Sequence, residues 1–353
     1  MLRTWRQRIT LTDVVIWIIG LAIAAMVVFG SIKTIALGKY DTATWINLTI
    51  TGLALGGVYA LIALGYTLVY GILRMINFAH SEVFMSGPFT AVFAADALNA
   101  AGLWNTNPIL SLLIVILVSA GVSSSIALLL ERIAYRPLRN APRLVPLITA
   151  IGASFFLQYA FRGFFGSSLK GYPEMSIFQG FWTIAGIRIF RTQATVIIGA
   201  FILMLIIYAI VQRTKIGKAM RSVSEDKEAA ALMGINVDRT IATTFALGGA
   251  AAGMAGILYL LLFPVAHFYM GFFPGLKAFT SAVLGGIGNV PGAFLGAMVL
   301  GLLESVGPSL FLVGLGIPAA YQLKDAIAFT ILVFILIFRP SGILGERLTQ
   351  TKV

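Results

Sequence analysis

Residues 46–72 read INLTITGLALGGVYALIALGYTLVYGI and carry no charged side chain. Apolar and polar residues do not alternate along the stretch, so it is not a strand with one wet face. At this length it meets the roughly 20 residues that a helix needs to cross a bilayer. Water is absent from the hydrocarbon core, so every backbone N–H and C=O there is satisfied within the chain, which leaves helices or closed barrels. Runs of the same kind recur near 14–32, 76–98, 109–130, 144–165, 194–212, 241–262 and 319–338, with two shorter ones at 276–289 and 292–306. A helix as long as 276–289 rises about 21 Å, against a hydrocarbon core of about 30 Å. The two short runs are therefore expected as part-length elements inside the bundle. The expected fold is all-α and polytopic, with about ten membrane helices including the two short ones.

Composition points the same way. Of the 353 residues, 59% are hydrophobic and 11% charged, where a soluble domain carries about 25% charged residues. The net charge of +12 would suggest nucleic acid for a soluble protein. In a membrane protein it reads as basic cytoplasmic loops, and the surrounding partner is lipid, not nucleic acid. With no cysteine, the chain has no disulfide, thiolate metal site or cysteine nucleophile. Its two histidines, His80 and His267, are far apart in sequence, so no metal centre is expected. The apolar run from Val14 to Phe29 lacks a small-residue cleavage site and is followed by Lys33 and Lys39, so it reads as a retained first span, not a signal peptide.

An even number of spans puts both termini on one side, and the basic residues choose the side. Arg3, Arg6 and Arg8 precede the first span, and Arg74 follows the second. Arg132, Arg136, Arg139 and Arg143 lie between the fourth and fifth. Arg213, Lys215, Lys218, Arg221, Lys227 and Arg239 lie between the sixth and seventh, and Arg339, Arg347 and Lys352 end the chain. This richer face is expected to be cytoplasmic, with both termini inside. The long outer connection 166–193 has room for a small hairpin or a surface helix. Lys277 and the Lys324–Asp325 pair are expected near the outer face, with Lys324 snorkelling to the interface.

The longest inner connection contains SVSEDKEAAALMG at 222–234. Ser222 and Glu225 have capping-box spacing, and Glu225, Asp226 and Glu228 suit the positive end of a helix. Ala229 to Met233 favour helix, and Gly234 suits a left-handed stop. A short helix is therefore expected, with a small-residue surface at Ala229 and Ala230. It lacks the aromatic and basic faces of a helix that lies on headgroups. The chain also lacks a G-x-x-x-x-G-K-[ST] phosphate loop, so any ATP is used by another polypeptide.

Three stretches in order resemble the LivH-type branched-chain amino acid permeases of ABC importers. They are GGVYALIALGYTLVYGILRMINFAHSEVFMSGP at 56–88, the segment 221–256 with EAAALMG followed by GINVDR, and 276–347 with LKAFTSAVLGGIGNVPGAFLGAMVLGLLES, YQLKDAIAF and RPSGILG. Position 81 is Ser where the family usually has Gly. The resemblance implies that the helix near 222–234 docks on an ATPase through Glu225, Glu228, Ala229, Ala230 and Gly234. It implies a second, LivM-like permease subunit, two ABC ATPase subunits and a periplasmic or extracellular substrate-binding protein. No cofactor is expected in this chain. The expected location is the bacterial inner membrane. Residues 1–44 read as an N-terminal extension with an extra span, 45–347 as the permease domain and 348–353 as a cytoplasmic tail. Urea or short amides are alternative substrates, and an ion-coupled secondary transporter is the rival class.

Polar residues inside spans are expensive and face a cavity or a partner. The candidates for the substrate pathway are Asn77, His80, Glu82, Thr280, Ser281, Gly285, Gly286 and Glu304. His80 and Glu82 are two positions apart on a helix and point about 200° apart, so they do not share one site. Bracing of helices and contact with substrate both remain open for them. Glu304 reads as a paired acid or a proton relay. The Gly285–Gly292 run breaks two short helices, either to aim backbone dipoles at a substrate or as a tight turn in a packed hairpin.

Overall fold

In the computed structural model the uncharged stretch is the heart of the molecule. The structure describes residues 11–139, 141–142, 144–184, 186–339 and 341–345. Arg3, Arg6, Arg8, Arg143, Arg347, Lys352 and the tail 348–353 lie outside the described residues. The helices are α1 (Leu11–Ala36), α2 (Thr42–Leu73), α3 (His80–Ala100), α4 (Leu103–Thr106), α5 (Pro108–Leu130), α6 (Leu144–Phe165), α7 (Arg191–Arg213), α8 (Lys215–Glu225), α9 (Lys227–Leu232), α10 (Val237–Leu262), α11 (Phe272–Gly285), α12 (Val290–Gly307) and α13 (Lys324–Phe338). Single π turns, Glu131–Tyr135 and Pro308–Leu312, prolong α5 and α12. Eight helical stretches among the described residues are long and apolar enough to cross a membrane. With α3 and the short α11 they make the ten membrane elements of an all-α polytopic protein.

Alpha-2 is buried almost continuously from Gly52 to Val69 and packs against α12, α10, α11 and α7. Apolar side chains gain little by associating in lipid, so close backbone approach and interhelical hydrogen bonds hold such a bundle. The seams show both. A Cβ on Gly52 would stand 2.9 Å from the Gly301 carbonyl oxygen, and one on Gly56 2.9 Å from that of Ala297. Between α5 and α10, the Ser119 hydroxyl donates to the Gly253 carbonyl at 2.7 Å and the Ser124 hydroxyl to that of Ala246 at 2.9 Å.

One expectation about length and one about bounds are corrected. The second short run is not part-length, because the π turn carries α12 on to Leu312 and gives a span of 23 residues. Alpha-11 is short, at 14 residues, but it starts at Phe272 and stops at Gly285, where the turn into α12 begins. The long connection 166–193 forms a hairpin, with β2 (Phe181–Ile184) antiparallel to β3 (Ile187–Phe190). Upstream, β1 (Lys170–Gly171) pairs with β4 (Val265–Ala266). Trp104 and Tyr172 fasten this end: the Trp104 indole donates to the Pro173 carbonyl at 3.0 Å and the Tyr172 hydroxyl to the Pro88 carbonyl at 2.6 Å.

Candidate functional site

Alpha-8 and α9 lie at the basic end of the bundle, opposite the hairpin. The expected capping box is not formed. Thr214 caps α8, whose last turns contain Ser222 and Glu225, and the shorter α9 starts afresh after Asp226. The Asp226 carboxylate accepts the Glu228 and Ala229 N–H groups at 2.8 and 3.0 Å, leaving Ser222 no orphan donor to cap. Gly234 ends α9 at φ +82°, the left-handed conformation that the sequence suggested. The expected outward face also needs correction. Ala230 is buried within this chain, while Ala229 and Glu228 are exposed; Leu232 and Met233 stand out at 89% and 83% exposure. Burial, then the nearby Arg139 and Arg74 charges, pushes the Lys227 ammonium pKa below the ordinary lysine value.

Side chains from several helices hold this end together. Arg74, just past α2, donates to the Ser224 carbonyl at 3.3 Å. Arg136 and Arg139, after α5, both pair with Asp238 in the first turn of α10, and Arg139 also pairs with Glu131.

From Arg74 the chain turns back into the bundle. The expected third span, 76–98, is helical only from His80. The His80 ring lies against Gly65, where any Cβ would collide with it. Gly65 is about 12 Å along α2 from Leu73 at about 1.5 Å per residue, so residues 74–79 re-enter the bundle by about that depth. Non-helical backbone at membrane depth is tolerated only when buried in protein or lining a cavity. Asn77 is fixed there by the Tyr135 hydroxyl, which donates to its Oδ1 at 2.5 Å. His80 meets the Tyr66 ring edge-on, with centroids 4.8 Å apart. Glu82, fully buried, points instead toward α6. Its Oε1 accepts from Gln158 at 2.7 Å, Ser154 at 3.1 Å and Ser81 at 3.3 Å. Ser81 touches Gly271 and Gly275, so the first turn of α11 abuts the first turn of α3 deep in the bundle.

The remaining candidates do not converge on that point. Thr280 and Ser281 are buried on α11, but their hydroxyls bond back to the Leu276 and Lys277 carbonyls at 2.9 and 2.8 Å. Gly285 and Gly286 lie at the basic end, and the structure favours the packed turn over exposed dipoles. Gly285 abuts Gly292, and the Ile343 and Leu344 N–H groups cap the Leu284 and Gly285 carbonyls at 2.8 and 3.0 Å. Glu304 sits toward the hairpin end, 1% exposed and 2.6 Å from the Lys277 ammonium. Lys277 had been expected near the outer face; it lies toward the hairpin end but is buried, 5% exposed, and pairs with Asp325 as well, at 2.6 Å. The sequence did hold a signal: a lysine inside an apolar run needs an acid, and Glu304 is an unpartnered acid in the next run.

Ten membrane elements, two of them starting from helix ends inside the bundle, define a polytopic transport protein with discontinuous helices. The family model for the permease component of branched-chain amino acid transport systems matches residues 48–336, and the chain belongs to that family. It is 41% identical over 300 residues to the high-affinity branched-chain amino acid transport system permease protein BraD of Pseudomonas aeruginosa, covering 84% of this chain and 94% of that relative. It is 40% identical over 309 residues to the corresponding protein LivH of Escherichia coli, with the same coverage. A probable branched-chain amino acid transport permease of Methanocaldococcus jannaschii is 26% identical over 297 residues, covering 83% and 90%. Alpha-1 precedes the matched region.

Proposed function

We propose that this chain is the membrane-spanning subunit of an ATP-driven importer for leucine, isoleucine, valine and related small amino acids in a bacterial cytoplasmic membrane. Family membership supports the substrate class. The observation that carries the ATP-driven reading is α9, a capped helix projecting two bare apolar side chains from the basic end. Exposed apolar surface of this kind marks a protein contact. Its partner is one of two ABC ATPase subunits. A second permease subunit and an external binding protein complete the machine. The basic end is cytoplasmic by the positive-inside rule, and both termini lie on that side.

The contacts around α9 suggest how motion reaches the pathway. Arg74 joins α8 to the start of the re-entrant segment, and Tyr135 holds Asn77 within it. The Arg136–Asp238–Arg139 clasp ties α5 to the first turn of α10. When the ATPases close on nucleotide, α9 moves with them, and residues 74–82 are drawn against the first turn of α11. That junction is the gate, with Asn77, His80 and Glu82 as its polar parts. Apolar helix faces line the rest of the route, and no covalent step occurs in this chain.

Leu232→Ser combined with Met233→Ser tests the docking. The pair is solvent-exposed here, so the variant is expected to insert normally, yet to lose ATPase co-purification and ATP-driven uptake. Parental co-purification together with parental uptake would remove α9 as the docking element.

A further inference from the structure

The charge cluster at the hairpin end holds more acid than a brace requires. One ammonium, that of Lys277, lies 2.6 Å from both Glu304 Oε1 and Asp325 Oδ1. Glu304 Oε2 is buried and accepts no hydrogen bond. An unsatisfied carboxylate oxygen away from water is costly, and a ligand cation would relieve that cost. A second ammonium, that of Lys324, is 4.0 Å from Glu304 Oε1, outside hydrogen-bond reach. It is partly exposed and rests over the Tyr321 ring at 4.9 Å. Tyr321 also lines a cavity of about 590 Å³, whose wall includes Ser309, Val313, Ile317 and Pro318. On the inner side the Tyr59 ring faces the Lys277 ammonium at 5.7 Å.

We propose that Glu304, Lys277 and Lys324 form a binding site for the charged head of an α-amino acid, with its aliphatic side chain in the adjoining cavity. The proposal rests on the reading of the chain as an amino acid permease. The ligand ammonium donates to Glu304 Oε2, which with Asp325 Oδ1 is one of two carboxylate oxygens of the cluster without a hydrogen-bond donor among the described residues. The ligand carboxylate pairs with Lys324, whose flexible stem lets it follow the ligand. Lys277 holds Glu304 in place, and the Tyr59 face supports the Lys277 charge. The cavity wall of Val313, Ile317 and Pro318 takes the branched side chain without needing a polar partner. The site discriminates by the paired charges of the ligand head, so a carboxylic acid of the same shape without the amine lacks half of its contacts.

The test uses the reconstituted complex and L-leucine carrying a photoreactive diazirine in its side chain. The expected adducts fall on peptides containing residues 304–325, and excess leucine competes them away. The same diazirine acid without the amino group is expected not to label the parental protein there. Glu304→Gln is expected to lower labelling about ten- to a hundredfold, the usual effect of losing a charged hydrogen bond. Lys324→Gln should lower it as well. Adducts elsewhere, equal labelling by the deaminated probe, or undiminished labelling of Glu304→Gln would each overturn this site while leaving leucine uptake intact. A parental complex that takes up no leucine would overturn the functional reading and this site together.

Discussion

Replacing Lys277 with methionine separates the structure from the sequence reading most sharply. A lysine at the outer face would be nearly neutral when replaced, within about 0.5 kcal/mol. In the structure its ammonium is buried between Glu304 and Asp325, each 2.6 Å away. Removing it leaves Glu304, 1% exposed, without its ion partner, and breaking a buried pair in this way costs about 3–5 kcal/mol. Asp325 is 36% exposed and recovers part of its loss from water. Neutralising the stranded acid should therefore restore much of the stability. The double variant Lys277→Met with Glu304→Gln is expected to be more stable than Lys277→Met alone, with a coupling of about 1–3 kcal/mol. Equilibrium unfolding of the purified protein in mixed micelles, followed by helical circular dichroism, measures the whole cycle. If Lys277→Met unfolds within about 0.5 kcal/mol of the parent, Lys277 is not the hub of a buried network.

Three further outcomes follow from local geometry. Gly65→Val should abolish transport and destabilise by about 1–3 kcal/mol or more, because the new Cβ meets the His80 ring and stands 3.0 Å from the Gly248 carbonyl oxygen; Gly71→Ala, with open space around it, should transport normally in the same uptake assay. Gly234→Val forces a β-branched residue to φ +82°, costing about 1–2 kcal/mol at the stop of α9, and should impair ATP-driven uptake while membrane insertion persists. The chain has no cysteine, so Ser168→Cys should react with an impermeant thiol reagent applied outside intact cells and Ser222→Cys should not; the reverse pattern would invert the orientation.

What the sequence revealed follows the strength of each physical signal. An uncharged run such as 46–72 has no stable alternative to a helix in this chain, so the helices and their number were accessible, while 166–193 left a hairpin and a surface helix equally open. Gly234 was also readable, because few residues other than glycine take its backbone conformation. Ser222 misled because capping-box spacing recurs by chance, and Asp226 is the residue with the free donors in front of it. The re-entry at 74–79 was hidden because a non-helical segment looks the same whether it lies in water or doubles back beneath Tyr135. Ala230 looked outward because small residues suit a partner groove and the chain's own core equally well. The burial of Lys277 was hidden because both of its acids are remote in sequence. Glu304 lies on the next helix and Asp325 on the one after, and only packing brings all three together.

The central claim is that this chain passes branched-chain amino acids across the membrane at the expense of ATP. Uptake of radiolabelled leucine into proteoliposomes holding the chain with the proposed second permease subunit, ATPases and binding protein tests it directly. Accumulation is expected to require ATP on the ATPase side, to be competed by isoleucine and valine but not by urea, and to persist when proton and sodium gradients are collapsed. Leucine uptake that proceeds without ATP and stops when those gradients are collapsed would contradict it.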